Sequence, residues 1–311
     1  MSATAPVSSP ARVRADDGAR TVIVTGAGTG LGLETALHLA GQGMRVYATV
    51  RNPAQEPRIR EAARERGIDR ADLDVVRLDL TDRESIETAL EHVVGEAGGV
   101  YGLVNNGGIG LRGCLEDVTD EEIRAVFEAN IFGTIAVTQA VLPHMRAAGR
   151  GRVVTITSVG GRISTFGLGV YCASKFAQEG LSEALALELK LFGLEAIMVE
   201  PGIIKTERWD ENRGVAAGAT DPASPYYGYF NAAEEVADRI VARSRTTPED
   251  VARTVHEALT ARRPRMRYVV GRPAAAAIAL RRYLPARAFE RLYWGPFLRH
   301  IRKRGAALQR R

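Results

Sequence analysis

The chain has 311 residues, 45% of them hydrophobic and 25% charged, with a formal net charge of +5. That length suits one domain with appendages, and that composition excludes a disordered, collagen-like or disulfide-scaffold protein. Two cysteines, Cys114 and Cys172, are too few for a disulfide framework and fit a reducing cytoplasm.

Residues 1–20 carry Pro6, Pro10 and small polar residues with no apolar run, so they are expected to form a disordered leader rather than a secretory signal. No stretch reads as the roughly 18–20 apolar residues of a membrane span. Beyond the leader, short Val-rich runs at 21–25 (TVIVT), 45–50 (RVYATV), 74–78, 100–105, 152–157, 195–199 and 267–270 predict strands. They do not alternate with polar residues, as expected of strands buried on both faces. Between them, helices are predicted near 31–42, 55–66, 83–96, 120–147, 171–191, 232–243 and 248–262. In 171–191, Ala173, Ala177, Leu181 and Ala184 recur at helical spacing and give one apolar stripe. Strand–helix alternation implies parallel strands with right-handed crossovers. The expectation is an α/β, doubly wound Rossmann-type domain over 21–271, with a parallel sheet of about seven strands, followed by a helical basic extension over 272–311. Residues 206–231 break the rhythm. They are rich in Gly, Pro and aromatics (Trp209, Tyr226, Tyr227, Tyr229 and Phe230) and are expected to form a substrate loop.

The first strand runs into Gly26-Ala-Gly28-Thr29-Gly30-Leu31-Gly32, and a helix follows. A tight turn into a helix N-terminus aims backbone N–H groups at a pyrophosphate, so this is the predicted dinucleotide site. The second strand ends at Val50, where NAD-specific proteins place an acid for the ribose diol. Arg51 follows and offers a charged fork to a 2′-phosphate, so NADPH is the expected cofactor, preferred over NAD.

The glycine spacing, with Asp79-Leu80, Asn105-Asn106-Gly107-Gly108, Asn130, Ser158, Tyr171-x-x-x-Lys175 and Pro201-Gly202 in that order, resembles the short-chain dehydrogenase/reductase family over roughly residues 20–260. The wording around VYATVRN and VYCASKFAQEGL is most similar to its hydroxysteroid and retinol dehydrogenase branch. The resemblance implies that Asp79 bonds the adenine and that Asn106, beside Leu80 and Gly107, shapes the cofactor pocket. It implies that Pro201, Gly202, Ile204 and Thr206 line the nicotinamide end, with Thr206 on the carboxamide. Lys175 would hold the nicotinamide ribose, and Asn130 a water in a proton relay. One departure is Gly108, where the family usually has Ala, expected only to loosen the turn.

Carbonyl reduction needs a proton donor at the oxygen, and a free Tyr titrates too high to exchange protons efficiently at neutrality. Lys175 lies one helical turn beyond Tyr171 and, with the oxidised cofactor's charge, favours tyrosinate; lowering its pKa by ~2–3 units would take about 3–4 kcal/mol. Ser158 can donate to the developing alkoxide. The chain has 38 Arg and only four Lys, so a Lys at this position suggests that a compact ammonium is required. The predicted catalytic set is Asn130, Ser158, Tyr171 and Lys175, on a small apolar carbonyl or alcohol. The five His are scattered without metal-ligand spacing, so no metal is expected, and neither cysteine shows an activating neighbour.

Residues 262–311 hold fourteen Arg and one Lys against one acid, Glu290, so the rest of the chain is acidic. Within 272–304, apolar and aromatic residues interleave with Arg, broken at Pro285 and Pro296. Two readings stand: helices that close over the pocket or a subunit interface, and an amphipathic pair resting on an anionic membrane surface. Nucleic acid is not an expected partner, since no reader motif accompanies the charge. A homodimer or homotetramer is expected from the resemblance. The rival functions are a non-catalytic NADP-binding sensor and a membrane-recruited binding protein on the same fold.

Overall fold

Strands without polar alternation need apolar cover on both faces, and helices that follow each strand can supply it. In the computed structural model, which describes residues 20–205 and 213–309, they do so. The chain runs β1 (Thr21–Val24), α1 (Gly30–Gly41), β2 (Arg45–Val50), α2 (Glu56–Glu65), β3 (Leu73–Arg77), α3 (Arg83–Ala97) and β4 (Gly102–Asn105). Next come β5 (Gly110–Arg112), α4 (Asp120–Phe127), α5 (Thr134–Ala148), β6 (Arg152–Ile156), α6 (Gly169–Lys190) and β7 (Glu195–Pro201). After β8 (Arg213–Val215) follow α7 (Tyr227–Arg243), α8 (Pro248–Thr260) and β9 (Arg267–Val270). The extension forms α9 (Arg272–Tyr283), α10 (Ala286–Phe289) and α11 (Gly295–Leu308).

Seven strands form one parallel sheet in the order β3-β2-β1-β4-β6-β7-β9. Val22 pairs with Val46 on one side and Gly102 on the other. Successive residues of β1 feed opposite cores. Val22 and Val24 pack with Leu37, Leu39, Val255 and Leu259 of α1 and α8. Ile23 packs with Leu90, Val93, Val141 and Met145 of α3 and α5. Each such buried aliphatic is worth roughly 1.5–3 kcal/mol. The strand order reverses between β1 and β4, and the carboxyl ends of the strands there open the crevice where a ligand of this fold sits.

Five features depart from the sequence reading. The predicted helix 120–147 is interrupted by a π turn at Glu128–Gly133, a local widening of the helical ladder. By length and hydropathy Asp120–Ala148 could cross a membrane, and half of its apolar window is buried in the fold. In α6 the expected apolar stripe does not face the core. Cys172, Ser174, Lys175, Gln178, Glu179 and Ser182 are buried, whereas Ala173, Ala184, Phe176, Leu187 and Leu191 are exposed. This helix turns a polar face inward, where Ser174 and Gln178 bond to Asn130 and Lys175 to Gln178.

The third departure is β5, which pairs with β8 in a separate parallel ladder. A Cβ on Gly214 would stand 2.5 Å from the Gly110 carbonyl oxygen, so glycine permits this approach. The fourth is the predicted loop 206–231, which contains β8 and the start of α7. Tyr227, Tyr229 and Phe230 are helical, not loop. The N-terminus of α7 is closed from outside: Gly228 N donates to Gln309 Oε1 at 2.6 Å, and Gln309 Nε2 donates to the Ser224 carbonyl at 2.9 Å. Local sequence has no means of announcing a cap supplied from 81 residues away. The extension breaks at Pro285 as expected but not at Pro296, which directly follows a π turn at Glu290–Trp294 in a run that is helical from Ala286 to Leu308.

Candidate active site

The glycine turn is held from the β4 side. Thr25 Oγ1 accepts from Asn106 N at 3.0 Å and Gly107 N at 2.9 Å. Asn106 Nδ2 donates to the Thr25 carbonyl at 2.9 Å and to that of Gly26 at 3.1 Å. Gly26 has φ 65°, and a Cβ on it would fall 2.7 Å from Gly107 Cα; one on Gly32 would fall 2.2 Å from Gly26 O. These two glycines are therefore fixed by packing and conformation together. Gly28 lies under the Gln55 side chain, and Gly30 takes φ 55°. Thr29 is the extended cap residue of α1, and its side chain makes no capping bond, so it leaves the first-turn amides at Gly30, Leu31 and Gly32 uncapped. That cradle, with the Gln55 side chain lying over it at Gly28, fits a bound pyrophosphate at its uncapped amides.

Around it, Val50 is buried and Arg51 is exposed at the end of β2. Asp79 Oδ1 accepts from Thr81 N at 3.0 Å and Thr81 Oγ1 at 2.8 Å. Leu80 packs under Gly107, where a Cβ would meet its Cδ1 at 2.7 Å. Pro201 ends β7; Gly202 N donates to the Val270 carbonyl at 2.9 Å, and Ile204 is buried. Thr206 and Trp209 lie outside the described residues.

At the reacting end, α6 carries Tyr171 and Lys175 one turn apart, with Lys175 Nζ 5.8 Å from the Tyr171 ring centroid. Ser158, just past β6, hydrogen-bonds the Tyr171 hydroxyl, and its Oγ accepts from Gly160 N at 3.0 Å. Lys175 Nζ donates to the Ile156 carbonyl and to Gln178 Oε1, both at 2.9 Å. Asn130, fully buried in the π turn, donates to Ser174 Oγ at 3.0 Å and to the Ile109 carbonyl at 3.0 Å, and accepts from Ile109 N at 2.7 Å. It thereby staples the loop after β4 to α6. The four predicted residues thus meet at one place, above the carboxyl ends of β4 and β6.

The short chain dehydrogenase family matches residues 20–215. The chain belongs to the short-chain dehydrogenase family. Its relatives include the oxidoreductase YbbO of Escherichia coli K12, 34% identical over 89% of this chain and 94% of the relative. Human 17-beta-hydroxysteroid dehydrogenase type 1 is 36% identical over 80% of this chain and 77% of its own. Of solved structures, actinorhodin polyketide ketoreductase with NADPH is 32% identical, with a TM-score of 0.66 over 78% of this chain and 91% of its own. A Burkholderia phymatum relative in complex with NAD is 25% identical, with a TM-score of 0.72 over 85% and 93%. This short-chain dehydrogenase is therefore an oxidoreductase of the class that interconverts CH–OH and C=O.

The electrostatics of its site favour a proton donor. Burial pushes the Tyr171 phenol above its ordinary value, while the bond to Ser158 pulls the other way. The depression expected from Lys175 is not reached by the protein's groups alone, since the ammonium is aimed at Ile156 and Gln178. Burial lowers Lys175 to about 8, opposed by the Glu179 carboxylate. Burial also pushes the Cys114 thiol up to about 12 and raises that of Cys172, so neither is a ready nucleophile.

Gly108 does more than loosen a turn. A Cβ there would fall 2.7 Å from Asn130 Oδ1, an atom already committed to Ile109 N. Beside the start of α6, Phe230 is buried with Leu111, Val126 and Val170, the last adjoining Tyr171 in sequence. Tyr226, Tyr227 and Tyr229 are half-buried beside it. The extension packs on the segment before α6: Trp294 Nε1 donates to the Ser164 carbonyl at 3.2 Å, and Phe166 packs with Phe297 and Ile301. Gln178, joined to Lys175, was missed because a lone Gln on a helix reads as a surface residue.

Proposed function

We propose that the protein is an NADPH-dependent reductase of an apolar ketone or aldehyde, running in reverse as an alcohol dehydrogenase. The observation that carries this reading is the Ser158–Tyr171 hydrogen bond beside the buried Lys175. A non-catalytic sensor would have no use for that set. Gly26 to Gly32 and Asn106 would hold the dinucleotide, and Lys175, Pro201 and Ile204 its nicotinamide end. When bound, the reduced nicotinamide supplies the hydride. Tyr171 gives its phenolic proton to the substrate oxygen, Ser158 donates a hydrogen bond to that oxygen, and Lys175 holds its charge nearby. General acid catalysis of this kind is worth ~10²–10⁴ in rate.

NADPH is chosen over NADH because Val50 offers the ribose diol no acceptor and Arg51 is exposed where a 2′-phosphate would meet a guanidinium. A charge-assisted contact there is worth roughly 1.5–3 kcal/mol, about ten- to a hundredfold. The test is kcat/KM for both cofactors over a panel of ketones, aldehydes, steroids and retinoids, in the parent and in Val50→Asp with Arg51→Ala. The parent should favour NADPH and the double variant NADH; an inactive parent rejects the reductase.

Two association proposals follow. The exposed apolar side of α6, with Phe176, Leu187 (64% exposed) and Leu191 (82%), supports a homodimer or homotetramer through this helix. Leu187→Glu should lower the mass seen by light scattering. On the extension, Tyr283, Leu292 and Leu298 are exposed among Arg281, Arg282, Arg287, Arg291, Arg299 and Arg302, which supports peripheral contact with an anionic bilayer. The full chain should float with phosphatidylglycerol vesicles and not with phosphatidylcholine, and Tyr283→Glu with Leu292→Glu should release it.

A further inference from the structure

Gln178 stands seven residues past Tyr171 and three past Lys175, on the same face of α6. It is 1% exposed. Its Oε1 accepts from Lys175 Nζ at 2.9 Å, and its Nε2 donates to the Asn130 carbonyl at 2.7 Å, with Thr134 Oγ1 at 3.4 Å. Asn130 lies in the π turn, where the regular helical ladder is interrupted. The amide is oriented by all of these contacts, because oxygen and nitrogen exchanged would set donor against donor at Lys175 and acceptor against acceptor at Asn130.

We propose that Gln178 is a positioning residue for the Tyr171 chemistry: its amide ties the Lys175 ammonium to the Asn130 carbonyl, a link for which the family resemblance implies a water. This rests on the reductase reading. Two of the three ammonium protons are spoken for, by Ile156 and Gln178, so the third has one direction left, toward the crevice. A fixed side chain holds that direction without the exchange a water would bring. An amide also passes no proton on, so Tyr171 must be reprotonated from the crevice rather than through Asn130.

Among the described residues, the groups facing Lys175 are few. On α6 they are Tyr171 and, through space, Glu179. From β6 it meets the neutral Ile156 carbonyl, and the π-turn side is reached only through Gln178. Removing the Gln178 acceptor should therefore make the ammonium easier to deprotonate.

The test uses the chain's four lysines. Pulse acetylation of the cofactor-free protein across pH, read by mass spectrometry at Lys175, reports its neutral fraction. The exposed Lys190 serves as control. In Gln178→Met the Lys175 midpoint should fall by about one pH unit, the tenfold effect of one charge-assisted bond. In Gln178→Glu it should rise. Kinetically, kcat for ketone reduction should drop about tenfold in Gln178→Met, with substrate KM within about threefold, and recover in part in Gln178→Glu. An unmoved Lys175 midpoint in folded Gln178→Met overturns the proposal. If that variant does not fold, an unmoved midpoint in the same-sized Gln178→Glu does so. A parent without turnover rejects the reductase reading, while the labelling still reports on Gln178.

Discussion

On the proposed reading the Tyr171 hydroxyl is the proton donor, and its surroundings set its protonation state. Burial keeps the phenol protonated at neutrality, which suits reduction. Tyr171→Phe removes only that proton, so turnover should fall at least a hundredfold while NADPH affinity, read by fluorescence titration, stays within about twofold. The Lys175 ammonium is present below its value of about 8 and lost above it. Ketone reduction should then hold steady up to neutrality and decline as the pH rises through about 8, read as kcat/KM against pH. Gly108 is a smaller but sharper case. Gly108→Ala would drive a methyl into Asn130 Oδ1 and cost Asn130 a bond to Ile109. We expect a loss of about 1–3 kcal/mol in urea unfolding, with reduced kcat.

Among the elements, α7 and α11 are interlocked at two glycines. A Cβ on Gly228 would stand 2.3 Å from the Gly305 carbonyl oxygen, and one on Gly305 would stand 2.5 Å from Tyr229 Cδ1. The Arg304 guanidinium pairs both oxygens of Glu235 at 2.9 and 3.0 Å across the same contact. Gly305→Val should force the helices apart, cost about 1–3 kcal/mol and raise substrate KM with little change in cofactor binding. A variant with parent stability and KM would show that the extension is a passenger. The outward apolar face of α6 is legible as a stripe in the sequence, but not its direction. Helical spacing shows that Ala173, Ala177, Leu181 and Ala184 share a side; it does not say which side meets the sheet.

Across the whole molecule, one buried ionic cluster joins α6, β7 and β9. Arg267 pairs with Glu179 at 3.0 Å, Glu200 at 3.1 Å and Glu183 at 2.6 Å, and Arg162 pairs with Glu200 at 2.9 Å. Burial and Glu179 hold the Glu200 carboxyl above its ordinary range. Arg267→Met would leave two buried carboxylates with one guanidinium between them, a loss of about 3–5 kcal/mol. The loss should shrink on acidification, since a protonated Glu200 no longer needs the charge; denaturant midpoints near pH 5 and pH 8 would show it. By itself the sequence determined the seven parallel strands, the glycine turn, and the one-turn spacing of Tyr171 and Lys175, because period, turn chemistry and helical spacing are local properties of a chain. The tertiary structure alone decided the π turn that buries Asn130, the inward polar face of α6 with Gln178 on it, the Gln309 cap on α7, and the Asn130 oxygen that a methyl at Gly108 would displace. Each of those depends on which groups far apart in sequence come to lie within a few ångströms, and no local pattern encodes that distance.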